Sequence, residues 1–243
     1  MRLARVSTDD GLVTGEYDDG TVIDSDGENH VLGEDATLVA PCSPSEFYCV
    51  GRNYPAYIEE HDFDRPEHVS FFIKPAVSRC DPEGPLPYPA FTEALTYGAE
   101  LAAVIGEECR NVPEEGVDEV VLGYTIMNDV DASDQGRISM RKAFDKAAPL
   151  GPWIQTDLDP TSLEMETRIN DEVRQSDTTG SMLFSPTEII SFISERFTLR
   201  PGDVIAMGSP ANPGLVEVGD EIEMWYEDIG TLRNTVVAPE AAD

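Results

Sequence analysis

Two short apolar runs between Tyr97 and Asp129 constrain this chain most, because each carries an acid that a core strand does not ordinarily tolerate. Ala99 to Ile105 reads as a buried strand. Side chains alternate across a strand, so Glu100 faces away from Leu101 and shares a face with Ala102 and Val104, residues too small and apolar to solvate a carboxylate. Val120 to Val130 is the second run, and Asp129 lies at its end, where a strand delivers a side chain to a sheet edge or cleft. Two carboxylates converging from different strands favour a bound hard cation, since like charges at close range otherwise keep one of them protonated. In a chain with 48 Asp and Glu, two solvated strand-end acids are the competing reading.

The acid excess bears on what the surface can bind. Over 243 residues the formal net charge is -32, Lys and Arg number 16, and Lys74, Lys142 and Lys146 are the only lysines. Strand-like apolar runs and a 40% hydrophobic content argue for a folded core beneath a heavily hydrated surface, not for disorder. A concentrated-salt cytoplasm suits such a surface, because screening at about 1 M shortens the Debye length to about 3 Å. Nucleic acid and anionic membrane are excluded as partners by repulsion. No apolar run approaches the roughly 20 residues of a membrane span, so a soluble, cytoplasmic protein is expected. Cys42, Cys49, Cys80 and Cys109 lack metal-binding spacing and read as buried thiols.

Along the chain, residues 1–40 read as short hairpins separated by Asp-Gly turns, a small β appendage ahead of the Pro41 to Pro44 linker and a main domain over residues 44–243. Phe47 to Val50 is a strand broken at Gly51, and Asn53 is placed to cap a short helix on which Tyr57, Glu60 and His61 share a face. A tyrosine, a carboxylate and one of three histidines beside a glycine turn are candidates for acid–base chemistry. Ser70 to Pro75 is a strand ending in Lys74, a cation placed to meet an anionic substrate, with snorkelling as the plainer alternative. Lys142 stands out because a chain that avoids lysine has kept it where arginine would serve a surface role. Ser185-Pro186-Thr187-Glu188 opens the clearest helix with a capping box. The Gly208 to Gly214 loop lacks a P-loop ending, yet its N–H groups could hold a carboxylate.

Eight segments, in order and over nearly the whole chain, resemble the fumarylacetoacetate hydrolase family. They are Val50-Gly51-Arg52-Asn53-Tyr54, Phe72-Ile73-Lys74-Pro75, Glu100 to Gly106, Gly123 to Asp129, Lys142-Ala143-Phe144-Asp145, Gly151-Pro152-Trp153, the Asn170 to Gln175 turn, and Leu199 to Ile205 running into Gly208-Ser209-Pro210. The resemblance implies a mainly β fold, a mixed β-sandwich roll with a few short helices, usually a homodimer that binds Mg²⁺ or Mn²⁺. It also implies a small 2-oxo acid or β-dicarbonyl substrate, such as fumarylpyruvate, an acylpyruvate, oxaloacetate or a dienoate from aromatic breakdown, acted on by C–C hydrolysis, decarboxylation or isomerisation. Glu100 and Asp129 are then the metal ligands. Glu60, Lys142, His61 and Tyr57 are the catalytic candidates, and Arg52, Asn53, Lys74 and Ser209 the substrate-binding ones.

The chain departs from the family pattern at three places. The first glutamate of the family's Glu-x-Glu pair falls on Gly98, the histidine of its His-x-x-Glu dyad on Tyr57, and the arginine after the metal aspartate on Ser133. Two functional expectations follow: a divergent metal-dependent enzyme with weakened metal affinity, or a non-catalytic relative that keeps the fold as a binding or regulatory module. The missing Gly98 side chain is expected to leave a space for water or a larger substrate group.

Overall fold

The computed structural model describes residues 1–239. The fold is mainly β, built from mixed sheets with a few short helices. The largest sheet has 12 strands, and its central order is Ala148–Gln155, Val121–Asn128, Ala99–Ile105, Val204–Ala206, Glu46–Gly51 and Ser70–Pro75. Most neighbours run antiparallel, but Val204–Ala206 pairs parallel with Glu46–Gly51, a union of segments some 157 residues apart that no local signal announces. A 5-stranded sheet carries the Glu164–Ile169 and Glu172–Thr178 hairpin beside Glu221–Tyr226 and Gly230–Val237. A 3-stranded sheet joins Asp131–Ala132, Leu95–Thr96 and Leu215–Val216 at the mouth of the future site.

Ala99–Ile105 is buried along its whole length because sheet packing covers both of its faces. Ala99, Leu101, Ala103 and Ile105 enter the main core, which includes Leu95, Ile126, Ile189, Ile193 and Met224. Ala102 and Val104 point the other way into a second cluster with Phe47, Cys49, Met127 and Ala206. Glu100 stands at the head of that second face, as alternation requires, and is 2% exposed.

Pro186–Arg196 is the longest helix, and both arms of its capping box form: Ser185 Oγ accepts from the Glu188 N–H at 3.2 Å, and Glu188 Oε2 accepts from the Ser185 N–H at 2.7 Å. Ile189, Ile190 and Ile193 fasten it to the core.

The N-terminal strands continue the large sheet instead of standing apart. Arg2–Thr8 pairs with Ala148–Gln155 through Leu3 and Ile154, and Tyr17 stacks on Trp153 with ring centroids 4.3 Å apart. Ala4, Val6, Val22 and Ala36 make only a small cluster of their own, so the packing on Trp153 anchors this region to the rest of the chain.

Candidate active site

A cavity of about 590 Å³ opens where the ends of the central strands meet the Leu95–Thr96 and Asp131–Ala132 pair. Glu100, Asp129, Lys142, Arg52, Tyr57, His61 and Ser209 line it, together with Gly98, Asp131, Ser133 and Arg141. Seven of the ten residues singled out in the sequence therefore share one wall system. The other three, Asn53, Lys74 and Glu60, lie behind it.

Asp129 is the hub. Lys74 Nζ lies 2.8 Å from its Oδ1 and Lys142 Nζ 2.5 Å from its Oδ2, while Lys142 also reaches Asp131 Oδ2 at 3.1 Å. Arg141 clamps Asp131 with both arms, Nε to Oδ1 at 2.9 Å and an Nη to Oδ2 at 2.5 Å. Burial alone would raise the pKa of Asp129, but the two ammoniums outweigh it and hold the carboxyl below its ordinary range. Burial alone would lower Lys142, and Asp129 followed by Asp131 reverses that, so Lys142 stays charged. Glu100 is the opposite case. Burial and then the Asp129 charge push its carboxyl well above the usual range, opposed only in part by the Gly208 N–H that donates to Oε2 at 2.9 Å. Its protonated form is favoured.

On the facing wall, the Pro55–Glu60 helix presents Tyr57 and His61, whose rings lie 4.2 Å apart. His61 Nδ1 is 3.0 Å from the Tyr57 carbonyl, which can only accept, so Nδ1 carries the proton and Nε2 is the basic nitrogen of the neutral ring. Burial raises the Tyr57 phenol, removing it further from service as a base near neutral pH. Arg52 lines the same wall with its guanidinium 4.1 Å above the Phe63 ring and a left-handed backbone, φ 60°, uncommon for a residue with a side chain.

Several roles differ from the sequence expectation. Lys74 does not reach the cavity: its side chain is fully buried, and Nζ is surrounded by Asp129 Oδ1 and the carbonyls of Val130 at 2.8 Å and Ala147 at 2.6 Å. Two hydrogen bonds and the ion pair with Asp129 enclose the ammonium, so Lys74 positions Asp129 and is turned away from a substrate. Asn53 neither caps the helix, whose N-cap is Tyr54, nor lines the cavity. Its amide instead donates to the Phe184 and Met207 carbonyls and accepts from the Phe184 N–H. Glu60 turns to the Gly208 to Gly214 loop, accepting from the Asn212 N–H at 2.9 Å, and its Oε2 lies 3.7 Å from His61 Nδ1. That loop does hold carboxylates, those of Glu100 and Glu60.

Asp131 and Arg141 were not singled out in the sequence. The available signals were the two-residue step from Asp129, which returns a side chain to the same face of an extended segment, and the adjacent basic pair Arg141-Lys142 in a base-poor chain. Gln175 was also missed as a site residue. Fully buried, it accepts from Thr167 Oγ1 at 3.1 Å and donates to Ser209 Oγ at 3.1 Å and the Pro210 carbonyl at 2.9 Å, fixing the loop against the cavity.

The donor set does not fit a resident divalent cation. Glu100 and Asp129 do face one cavity, but among the described residues no three His, Cys, Asp or Glu side chains gather around one point. An ion at the ordinary Mg²⁺–oxygen distance of about 2.1 Å from one Asp129 oxygen would lie within about 5 Å of the ammonium on that oxygen and about 7 Å of the other. At an effective dielectric of about 20, repulsion of about 7 kcal/mol from the nearer ammonium and about 5 kcal/mol from the other offsets most of the about 16 kcal/mol by which the single Asp129 carboxylate attracts a dication. The position of the third carboxylate is crowded as well. A Cβ on Gly98 would sit 3.0 Å from both Ser209 Cβ and Oγ, so Ser209 would have to shift to admit a side chain there, and the space the sequence leaves open is narrowed.

Comparison with known proteins agrees with this architecture. Residues 46–237 match the model for the fumarylacetoacetate (FAA) hydrolase C-terminal family. The crystal structure of 5-carboxymethyl-2-hydroxymuconate delta-isomerase from Mycobacterium smegmatis is 38% identical, covers 99% of this chain and 100% of its own, and superposes with a TM-score of 0.90. Maleylpyruvate hydrolase from Sphingobium sp. SYK-6, solved with manganese(II) and pyruvate, is 28% identical, covers 99% and 100%, and gives a TM-score of 0.84. A mitochondrial oxaloacetate tautomerase of Xenopus laevis is 31% identical over 87% of this chain and 72% of its own. With a family match over most of its length, and relatives above 30% identity along nearly all of it, this chain belongs to the fumarylacetoacetate hydrolase family.

Proposed function

We propose that this chain is an isomerase or tautomerase that shifts a proton on a small 2-oxo acid. The observation that carries this reading is the single cavity that sets an imidazole with a basic Nε2 against a cationic wall of Lys142 and Arg141. A 2-oxo acid presents its carboxylate to that wall and its carbonyl oxygen to the Lys142 ammonium. His61 Nε2 takes a proton from the carbon beside the carbonyl, and the C–H electron pair moves into the C–C bond while the carbonyl π pair moves onto oxygen. Lys142 stabilises the resulting enolate, and return of the proton to oxygen or to a more distant carbon completes the shift. The Tyr57 carbonyl orients the ring through Nδ1, and the Glu60 carboxylate 3.7 Å away stabilises the imidazolium that forms. Proton transfer of this kind needs no activated water, whereas C–C hydrolysis does. The names of two relatives, an isomerase and a tautomerase, support the choice.

Gly98, Tyr57 and Ser133, standing where the family pattern has a glutamate, a histidine and an arginine, favour a second reading, a binding module without turnover. Ultraviolet loss of the oxaloacetate enol band in concentrated salt separates the two. Acceleration by wild type that falls roughly 10²- to 10⁴-fold in His61→Ala supports the enzyme. Saturable oxalate binding with no acceleration of any 2-oxo acid would favour the module. Half-exposed Ile138 at the cavity, with half-exposed Phe91 and Met140, supports the homodimer as part of the proposal, checked by sedimentation.

A further inference from the structure

We infer that the Lys142 ammonium, backed by Lys74 and Arg141, supplies the positive charge that a divalent ion would otherwise bring to the substrate's carboxylate and enolate oxygens; this inference rests on the cavity being a 2-oxo acid site. Three independent features carry it. Lys142 Nζ sits between Asp129 and Asp131, at 2.5 and 3.1 Å, with its side chain 11% exposed, so the ammonium bridges the carboxylates while the cavity still reaches it. Lys74 closes off the other oxygen of Asp129 from behind. Between them both Asp129 oxygens already face a cation.

The second feature is the wall at Gly98. Ser209 lies within 3.0 Å of the point where a Cβ would be, and Gln175 holds Ser209 and the Pro210 carbonyl in place. Gly98 lines the cavity, but Ser209 crowds the missing ligand position and is held there by hydrogen bonds, so a side chain at 98 would have to displace it. The third feature is charge. Arg52, Arg141 and Lys142 line the cavity with Lys74 behind, against Asp129, Asp131 and Glu100. With Glu60 also behind the wall, the four cations equal the four carboxylates, so the site is balanced without an added ion. A pocket whose carboxylates are matched by its own cations, inside a chain of net charge -32, admits a small anion without an added cation.

Oxalate, which carries the paired oxygens of an enolised 2-oxo acid, is the probe. Chelator-stripped protein in concentrated salt is titrated with oxalate by calorimetry in EDTA, and separately with Mn²⁺ followed by its electron paramagnetic resonance signal against a protein-free blank containing the same oxalate. Saturable oxalate binding in EDTA, weakened at least tenfold in Lys142→Met, with a Mn²⁺ signal equal to the blank, is the expected result. Depletion of the Mn²⁺ signal by wild type, or oxalate binding that requires Mn²⁺, overturns the inference while leaving the 2-oxo acid reading intact. Absence of oxalate binding under both conditions defeats that reading, and the inference with it. The wild-type measurements decide the matter even if Lys142→Met does not fold. Gly98→Glu with Ser209→Gly, which restores the carboxylate and clears its space, should gain Mn²⁺ depletion that wild type lacks; equal depletion in both proteins counts against the inference.

Discussion

Replacing Lys74 by Met tests whether the cavity rests on a buried ammonium. The substitution keeps an unbranched side chain of similar length, so packing is nearly preserved while the charge and three donors are lost. Lys74 is fully buried, and Nζ faces Asp129 Oδ1 and the carbonyls of Val130 and Ala147 at 2.6 to 2.8 Å. Breaking a buried ion pair from one side costs about 3–5 kcal/mol, and a carbonyl left without a donor adds about 1–3 kcal/mol, which applies to Val130 alone because the Ala147 carbonyl keeps the Val130 N–H. Lys142 still neutralises Asp129 in the variant, which keeps the pair loss near the low end, so a total of about 4–6 kcal/mol follows. At about 2–4 °C per kcal/mol for a chain of this size, the melting temperature should fall by about 8–24 °C. Denaturant melts at two salt concentrations supply the assay. A surface pair would lose its contribution at the higher concentration, whereas this one should change little, being screened far less. Combining Lys74→Met with Asp129→Asn should cost less than the sum of the single changes, because the second removes the charge the first strands. A loss below about 1 kcal/mol, or one abolished by salt, would refute the buried-hub account of Asp129.

Glu100→Gln should change the pH dependence of stability. A carboxyl raised in the fold disfavours the native state as pH rises from the unfolded pKa towards the folded one, so the glutamine variant should gain on wild type above about pH 5, measured by melting at stepped pH. Asp129, depressed in the fold, acts in the opposite sense: its contribution is present above about pH 4 and fades as pH falls, so Asp129→Asn should flatten the acid limb. Burial pushes Cys42 up to about 12 and Cys80 up to about 11, and Cys49 is fully buried, so a thiol reagent at mildly alkaline pH should label the partly exposed Cys109 first and all four only after denaturation. The melting temperature of wild type should rise with salt as self-repulsion of the acidic surface is screened, and a fall would argue against a salt-adapted surface.

Much of the scaffold could be read locally. Glu100 falls on the face of Ala102 and Val104 because side-chain direction has a period of two, and that period is written in seven consecutive residues. The Ser185 capping box spans four positions and forms as expected. The order of the eight family segments carries the fold, since matches distributed along the chain require the same arrangement of strands. Tyr57 and His61 share a wall because they are one helical turn apart.

What the tertiary structure decided are the pairings across long separations. Lys74 looks like a free strand-end cation until Ala147, 73 residues on, places a carbonyl against it. Asn53 reads as a helix cap, but Phe184 and Met207 take its amide, and buried polar groups bind whatever partner the fold brings them. Glu60 is drawn from the cavity by the Asn212 N–H, 152 residues away. The sharpest case is Gly98. A glycine in sequence is only an absent side chain, whereas whether its space is hollow or filled depends on the segment packed against it, and here that segment is Ser209, held by Gln175 from another sheet. Composition and alternation fixed which residues face inward; steric closure and competition for buried hydrogen-bond partners decided which of them remain open to a substrate.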